Sequence, residues 1–289
     1  MMKKIVVLPY NPLWPFLYES EAKKITEALQ SNCLDIDHIG STSVLELAAK
    51  PIIDIIVVLK EPKEAIQPLQ SLGYHYKGEY NIPFRHYFNK EAETEVHLHV
   101  CDEDHPQIQL SLMFRNYLRE HSEERKAYGE LKANLLTKES SYLKNQWGFT
   151  GYNLGKDTFI RHILRKTGYS RLRFTHCSHN EEWEKVKIYR QKYLSDKLLV
   201  HDPDGWTFHH PEHLHLVFYE GADIMGYAHL QIRPEKRVGL RMIVIEDNKH
   251  SQNFKKEFLT QIKRWLQSHN YKSLSMESFF NDTDNDEKN

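Results

Sequence analysis

Residues 38–54 read His-Ile-Gly-Ser-Thr-Ser-Val-Leu-Glu-Leu-Ala-Ala-Lys-Pro-Ile-Ile-Asp, and they hold the side chains of this chain best suited to chemistry. Gly40 lets the backbone approach a ligand closely. The N–H groups and hydroxyls of Ser41, Thr42 and Ser43 are the right types to point at an anion, and a helix opening after the turn adds positive potential. Phosphate binding is one reading of this pattern. An ordinary strand, turn and helix cap is the other.

Asp54 interrupts the β-branched run of residues 52–59, which reads as a central strand buried on both faces. An unpaired carboxylate in such a place costs several kcal/mol. It therefore needs a partner: a metal ion, a cation such as Lys50, Arg85 or His86, or backbone donors. A structural ion pair meets the same need. His97 and His99 lie two apart on an expected strand, so they share a face with Glu95. Glu-x-His-x-His is a pattern that ligates a divalent metal together with Asp54, or that donates to phosphate. It is equally the pattern of a polar strand face turned to solvent.

Bulk properties narrow the setting. The chain has 289 residues, comfortable for two domains, which we expect over 1–168 and 169–289. A net charge of −1 provides no global field for nucleic acid or an anionic membrane. The apolar run 52–59 is too short to span a bilayer. The N-terminus starts like a signal peptide but meets Pro9 and Asn11 too early, so residues 4–8 read as a strand. Cys33, Cys101 and Cys177 are far apart and odd in number, which suits a reducing cytoplasm.

The elements that must position the candidate residues follow from periodicity. Residues 14–30 show helical spacing, 34–39 a strand, 61–72 a helix, and 74–77 with 84–89 a hairpin. Residues 96–100 are a further strand, and 105–166 turn helical. A mixed sheet with a helical cap is expected. Residues following Gly168, with Arg171 and Arg173, read as a linker. Residues 181–194 then form a helix, three antiparallel strands follow at 214–219, 224–232 and 241–246, and 254–268 form an amphipathic helix before a last strand at 273–276. The tail from Asn281 is polar and acidic.

The motifs Pro9-Tyr10-Asn11-Pro12 with Trp14, His38-Ile39-Gly40-Ser41-Thr42-Ser43-Val44, Leu47-Ala48-Ala49-Lys50-Pro51-Ile52-Ile53-Asp54-Ile55 and His97-Leu98-His99-Val100 occur in order. Together they resemble the GrpB family, also called UPF0157, over about residues 3–168. Phe114-Arg115-Asn116-Tyr117-Leu118 agrees with it. The resemblance implies a nucleotidyltransferase-like α/β (α+β mixed) fold. That superfamily usually carries Asp-x-Asp after a Gly-Ser turn and a third carboxylate on a neighbouring strand, holding two magnesium ions. Here Gly40-Ser41 and Asp54 match, Ile56 stands where the second Asp would stand, and Glu95, His97 and His99 are the nearby replacements for the third. The resemblance thus implies Asp54 and Lys50 as catalytic residues. It implies Gly40, Ser41, Thr42, Ser43, Arg85 and Lys156 as phosphate or nucleotide contacts, and Asp54, Glu95, His97 and His99 as ligands of Mg2+ or another divalent metal. The implied partner is a small nucleotide or phosphorylated ligand.

Residues 214–268 resemble the central part of a GNAT-type N-acetyltransferase, whose pyrophosphate-binding turn opens a helix after a long strand. The matching stretch is His250-Ser251-Gln252-Asn253-Phe254-Lys255, without the usual glycines. The resemblance implies Asn253, Phe254 and Lys255 as acetyl-CoA contacts in an antiparallel sheet with flanking helices, one that ends earlier than the family normally does. His209-His210-Pro211-Glu212-His213-Leu214-His215 reads either as a metal-binding stretch or as a His-rich strand entry without metal. Trp206 and Phe208 read as packing residues. Three functions stay open: nucleotidyl or phosphoryl chemistry in the first domain, acyl transfer in the second, and a non-catalytic binding protein.

Overall fold

Alternating residues of β2 (Ile52–Leu59) build the two faces around which the first unit folds. β2 runs parallel to β5 (Glu95–Asp102) and antiparallel to β1 (Cys33–Ile39). The hairpin β3 (His75–Tyr76) and β4 (His86–Lys90) completes a mixed sheet of order β1-β2-β5-β4-β3. The computed structural model describes residues 5–145, 148–196, 202–247 and 250–276. Its packing divides the chain into two units, Met1–Arg171 and Leu172–Asn289.

On one face of the first sheet, Ile53, Ile55, Val57 and Leu59 join Val96, Leu98, Val100 and Phe88. They pack against Trp14, Ile25 and Leu29 of α1 (Trp14–Leu29) and Leu69 of α2 (Ile66–Ser71). Burial of this all-apolar face is the main stabilising term of the unit. The opposite face carries Asp54 and Ile56 on β2 and His97, His99 and Cys101 on β5, by strand alternation. Helices cover it. Ile39, Ile56 and Cys101 pack with Ile108 and Leu112 of α3 (Pro106–Glu120). Val44 and Leu47 pack with Leu118 of α3 and Tyr128 of α4 (Ser122–Leu136). α5 (Gly151–Leu154) and α6 (Asp157–Lys166) complete the helical cap.

The second unit has the strand order β10-β9-β8-β7-β6. β6 (Leu172–His176), β7 (His213–Glu220), β8 (Asp223–Arg233) and β9 (Arg237–Ile245) are antiparallel neighbours, whereas β10 (Ser273–Met276) runs parallel to β9. On one face Val186, Tyr189 and Leu194 of α7 (Asn180–Asp196) meet Val217, Tyr219, Tyr227 and Met242. On the other, Phe258 of α8 (Ser251–Ser268) stacks on Phe218 and Phe254 meets the same ring edge-on. The fold is therefore mixed α and β in both units. Among the described residues no helix is long and apolar enough to cross a membrane.

Four local expectations are corrected. The expected strand at 4–8 reduces to one bridge between Leu8 and Ala49, because Pro9 supplies no donor to extend the ladder. No helix follows the Gly-Ser turn. The chain makes a single 3-10 turn, Ser41–Ser43, because the Ser43 hydroxyl donates to the Gly40 carbonyl (2.6 Å) and the Thr42 hydroxyl to that of Ile52 (2.9 Å). Residues 61–72 split into a 3-10 turn at Pro62–Ala65 and α2. The expected linker holds β6, whose Arg173 lies over the Tyr219 ring at 3.8 Å and so pairs as a strand despite its polarity.

Candidate functional site

Asp54 sits where β1, β2 and β5 meet, with Ile39 on one side and His97 on the other. His97 Nδ1 is 3.3 Å from Asp54 Oδ1, and His99 Nε2 is 3.8 Å from the same oxygen. Arg85 Nη1 donates to His99 Nδ1 at 3.3 Å and Nη2 to the Glu79 carbonyl at 3.1 Å. Because Arg is only a donor, His99 accepts at Nδ1 and carries its proton on Nε2, facing Asp54. Glu95 Oε1 stands 3.0 Å from His97 Nε2, and the Tyr87 ring lies 5.5 Å from both imidazoles.

The electrostatics follow from these contacts. Burial alone would raise the Asp54 pKa, but the hydrogen bonds and charges of His97 and His99 hold it well below the usual carboxylate range. Burial opposes charge on His97, yet Asp54 and Glu95 raise its pKa above the ordinary value. His99 is lowered, by burial and by the Arg85 charge against the pull of Asp54. Burial also lowers Arg85. His86 lies on the opposite face, bonded to the Tyr76 hydroxyl at 2.8 Å, so it is no partner for Asp54.

A cationic group flanks this carboxylate. The ammonium groups of Lys50 and Lys156 lie over the Tyr152 ring, 5.3 and 5.0 Å from its centre. Burial lowers both, with Asp54 pulling the other way. The Lys50 charge helps bring Lys156 down to about 8. Lys132 of α4 donates to Ser41 Oγ at 3.2 Å and to the Ala48 carbonyl. Burial first and the Lys156 charge second lower Lys132 to about 7.

The sequence reading missed Lys132, Tyr128 and Tyr152. A signal for two of them existed: Tyr128, Lys132 and Leu135 are spaced i, i+4, i+7 and are the buried stripe of α4.

The Gly-Ser-Thr-Ser turn divides its roles. Ser41 is half-buried beside Lys132, while Thr42 and Ser43 are buried and their hydroxyls are spent on backbone carbonyls. Their hydroxyls are therefore not donors for a ligand. His38 is a brace: its ring stacks on Tyr18 at 4.8 Å and its Nε2–H donates to Thr42 Oγ1 at 3.0 Å. Burial lowers its pKa to about 4.

The carboxylates do not fit a magnesium site. Asp54 and Glu95 meet opposite nitrogens of the His97 ring, so they do not converge on one point, and Ile56 is buried among apolar side chains. Magnesium demands a near-octahedral shell of oxygens. Among the described residues, no group of three or more His, Cys, Asp or Glu is placed to hold a metal ion.

In the second unit, the Phe254 side chain is buried against Phe218 and His250, whereas Asn253 is exposed and Lys255 half-buried. Residues 248 and 249, just before this turn, lie outside the described residues. The His-rich stretch forms a hydrogen-bonded network. Arg190 Nη1 donates to His229 Nδ1 (3.2 Å) and to the Tyr227 hydroxyl (3.1 Å). His229 Nε2–H consequently donates to His213 Nδ1 at 2.8 Å, and Tyr227 to His215 Nδ1 at 2.6 Å. His215 Nε2–H donates to the Thr207 carbonyl at 3.1 Å, and Asp202 takes two 2.6 Å bonds from Arg190. Trp206 is exposed, and its ring meets those of His210 and His213 edge-on.

A family model described as GrpB protein matches residues 4–166. A UPF0157 protein of Halalkalibacterium halodurans is 32% identical over 165 residues, 56% of this chain and 82% of that protein. The crystal structure of conserved protein GrpB from Enterococcus faecalis is similar at 35% identity and a TM-score of 0.49, over 56% of this chain and 96% of that one. An acetyltransferase of the GNAT family from Staphylococcus aureus is similar at 10% identity and a TM-score of 0.33, over 37% of this chain and 73% of that one.

Proposed function

The chain belongs to the GrpB family, and from that premise we propose that its first unit binds a nucleotide or another phosphorylated small molecule beside Asp54 and transfers a phosphoryl or nucleotidyl group there. One observation carries the reading. Lys50 and Lys156 crowd the Tyr152 ring beside Asp54, whose carboxylate two histidines already engage, and Glu95, whose carboxylate meets the far edge of His97. Cations gathered in a half-buried place repel one another, and an anion relieves that cost.

The residues take distinct parts. Lys50 and Lys156 supply point charges for phosphate oxygens. Asp54 has too low a pKa to take a proton at neutral pH, so it is a positioning residue that favours the charged form of His97 and orients its ring. Glu95 fixes the other edge of His97. Arg85 sets the tautomer of His99. These roles need no metal, since Asp54 and Glu95 do not converge on one point.

Isothermal titration of the full chain with ATP and with inorganic pyrophosphate tests this. We expect binding, and a loss of about 10- to 100-fold for Lys50→Ala and for Lys156→Ala, the size of one charge-assisted contact. Mg2+ alone is expected to give no thermal shift. Absence of binding by either anion, or variants that bind as tightly as wild type, would overturn the reading.

A further inference from the structure

We propose that Ser41 is a nucleophile toward a phosphoanhydride and that Lys132 is its general base, so that the chain carries a covalent phosphoryl or nucleotidyl group on Ser41. This rests on the binding reading above and adds to it the acceptor and the base.

Three observations lead there. Ser41 alone of the three hydroxyl residues in the turn has no backbone acceptor; Thr42 and Ser43 are committed to Ile52 and Gly40. Its Oγ is 3.2 Å from Lys132 Nζ, within the reach a nucleophile and its base require. Lys132 is nearly fully buried, and no carboxylate is among the groups that act on it. The Ala48 carbonyl holds one of its protons and orients the nitrogen. When Lys132 is neutral, the same contact runs the other way, and Ser41 donates to the amine.

Serine paired with lysine is a known arrangement for activating a weak nucleophile. The neutral amine is accessible near pH 7, because burial and the Lys156 charge bring Lys132 down to about 7. The Tyr128 ring faces Lys132 at 4.7 Å, and Ser41 is among the groups that act on its hydroxyl. Lys50 and Asp54 act in turn on Lys156.

The step balances. Ser41 Oγ attacks phosphorus, the Oγ–P bond forms and the bridging P–O bond of the phosphoanhydride breaks. The leaving phosphate keeps the bonding electron pair. The hydroxyl proton passes to Lys132, which becomes an ammonium ion. Lys50 and Lys156 hold the departing charge.

The full chain is incubated with ATP labelled at the α- or the γ-phosphate. Intact mass and peptide mapping then follow the adduct, and calorimetry measures ATP binding in parallel. We expect label on Ser41, none in Ser41→Ala, and a rate at least about 100-fold lower in Lys132→Arg, which keeps the charge but takes no proton. The wild-type rate should rise through about pH 7. That inflection should move upward in Lys156→Gln at saturating ATP, since a depressing charge is gone. A purely structural Lys132 produces neither inflection nor shift. Binding without an adduct at Ser41, or an adduct formed equally fast in Lys132→Arg, overturns this proposal and leaves the binding reading standing. Absence of binding overturns both.

Discussion

Gly40 lies against the carboxylate of Asp54: a Cβ at residue 40 would stand 2.4 Å from Asp54 Oδ2 and 3.0 Å from the Asp54 Cβ. Its backbone, at φ 70° and ψ −172°, belongs to a region that essentially only glycine occupies. Gly40→Ala is therefore expected to cost about 1–3 kcal/mol in backbone strain and to displace Asp54 from His97. Urea unfolding measures the first, and the His97 titration the second. Wild-type values for both would show that the turn adapts.

Asp54→Asn should lower the His97 pKa, because Asp54 is the main group raising it against burial. The sign for stability follows from linkage. His97, raised in the folded state, contributes below its ordinary pKa, and that contribution is lost as pH rises through the raised value. Asp54, depressed in the folded state, contributes above the ordinary carboxylate pKa and loses it as pH falls. The pair thus stabilises most between the two, and the wild type's advantage over Asp54→Asn should be larger at pH 6 than at pH 9. Imidazole NMR titration and denaturation at both pH values check it; an unmoved His97 refutes it.

Ile56→Asp restores the second carboxylate of a two-metal pattern, yet it should not create a metal site. Ile56 is 1% exposed and packs with Ile39, Cys101, Ile108 and Leu112. Its register partner on β5, His99, already faces Arg85 and Asp54, so a carboxylate among these apolar side chains should cost about 3 kcal/mol or more. Equal stability, or a Mg2+-dependent rise in melting temperature, counts against this account.

The second unit should weaken in acid. Burial holds His215 at about 3 and His176 at about 4, and pushes His229 well below the ordinary value, with neighbouring cations adding to it. A depressed histidine contributes stability above its unfolded pKa of about 6.5 that is lost as pH falls toward the folded pKa. Each such histidine removes about 1.4 kcal/mol per pH unit over that window. Denaturant midpoints between pH 7 and 4.5 (roughly the range of interest) measure it. Replacing His215 with Gln should flatten the profile, and a profile already flat in the wild type rules the mechanism out.

Much of the site was legible because its signals are local. The alternation through Glu95, His97 and His99 and the odd carboxylate in the run of β2 need only a period of two and a burial argument. Lys132 was hidden because a lysine in a charged helix reads as solvated until its turn of α4 is seen to face the core. β6 was hidden because its arginine is covered by an aromatic ring from the next strand.

By itself the sequence determined the family motifs, the buried strand carrying Asp54 and the glycine before Ser41, since these depend on residue type and short spacing. Only the tertiary structure decided which hydroxyl of the turn is left without a backbone acceptor. Thr42 is consumed by a carbonyl ten residues away and Ser41 is met by a lysine ninety-one residues away. Hydrogen bonds between distant segments form only once the sheet and its helical cap have packed, and they decided that Asp54 orients cations while Ser41 faces the amine.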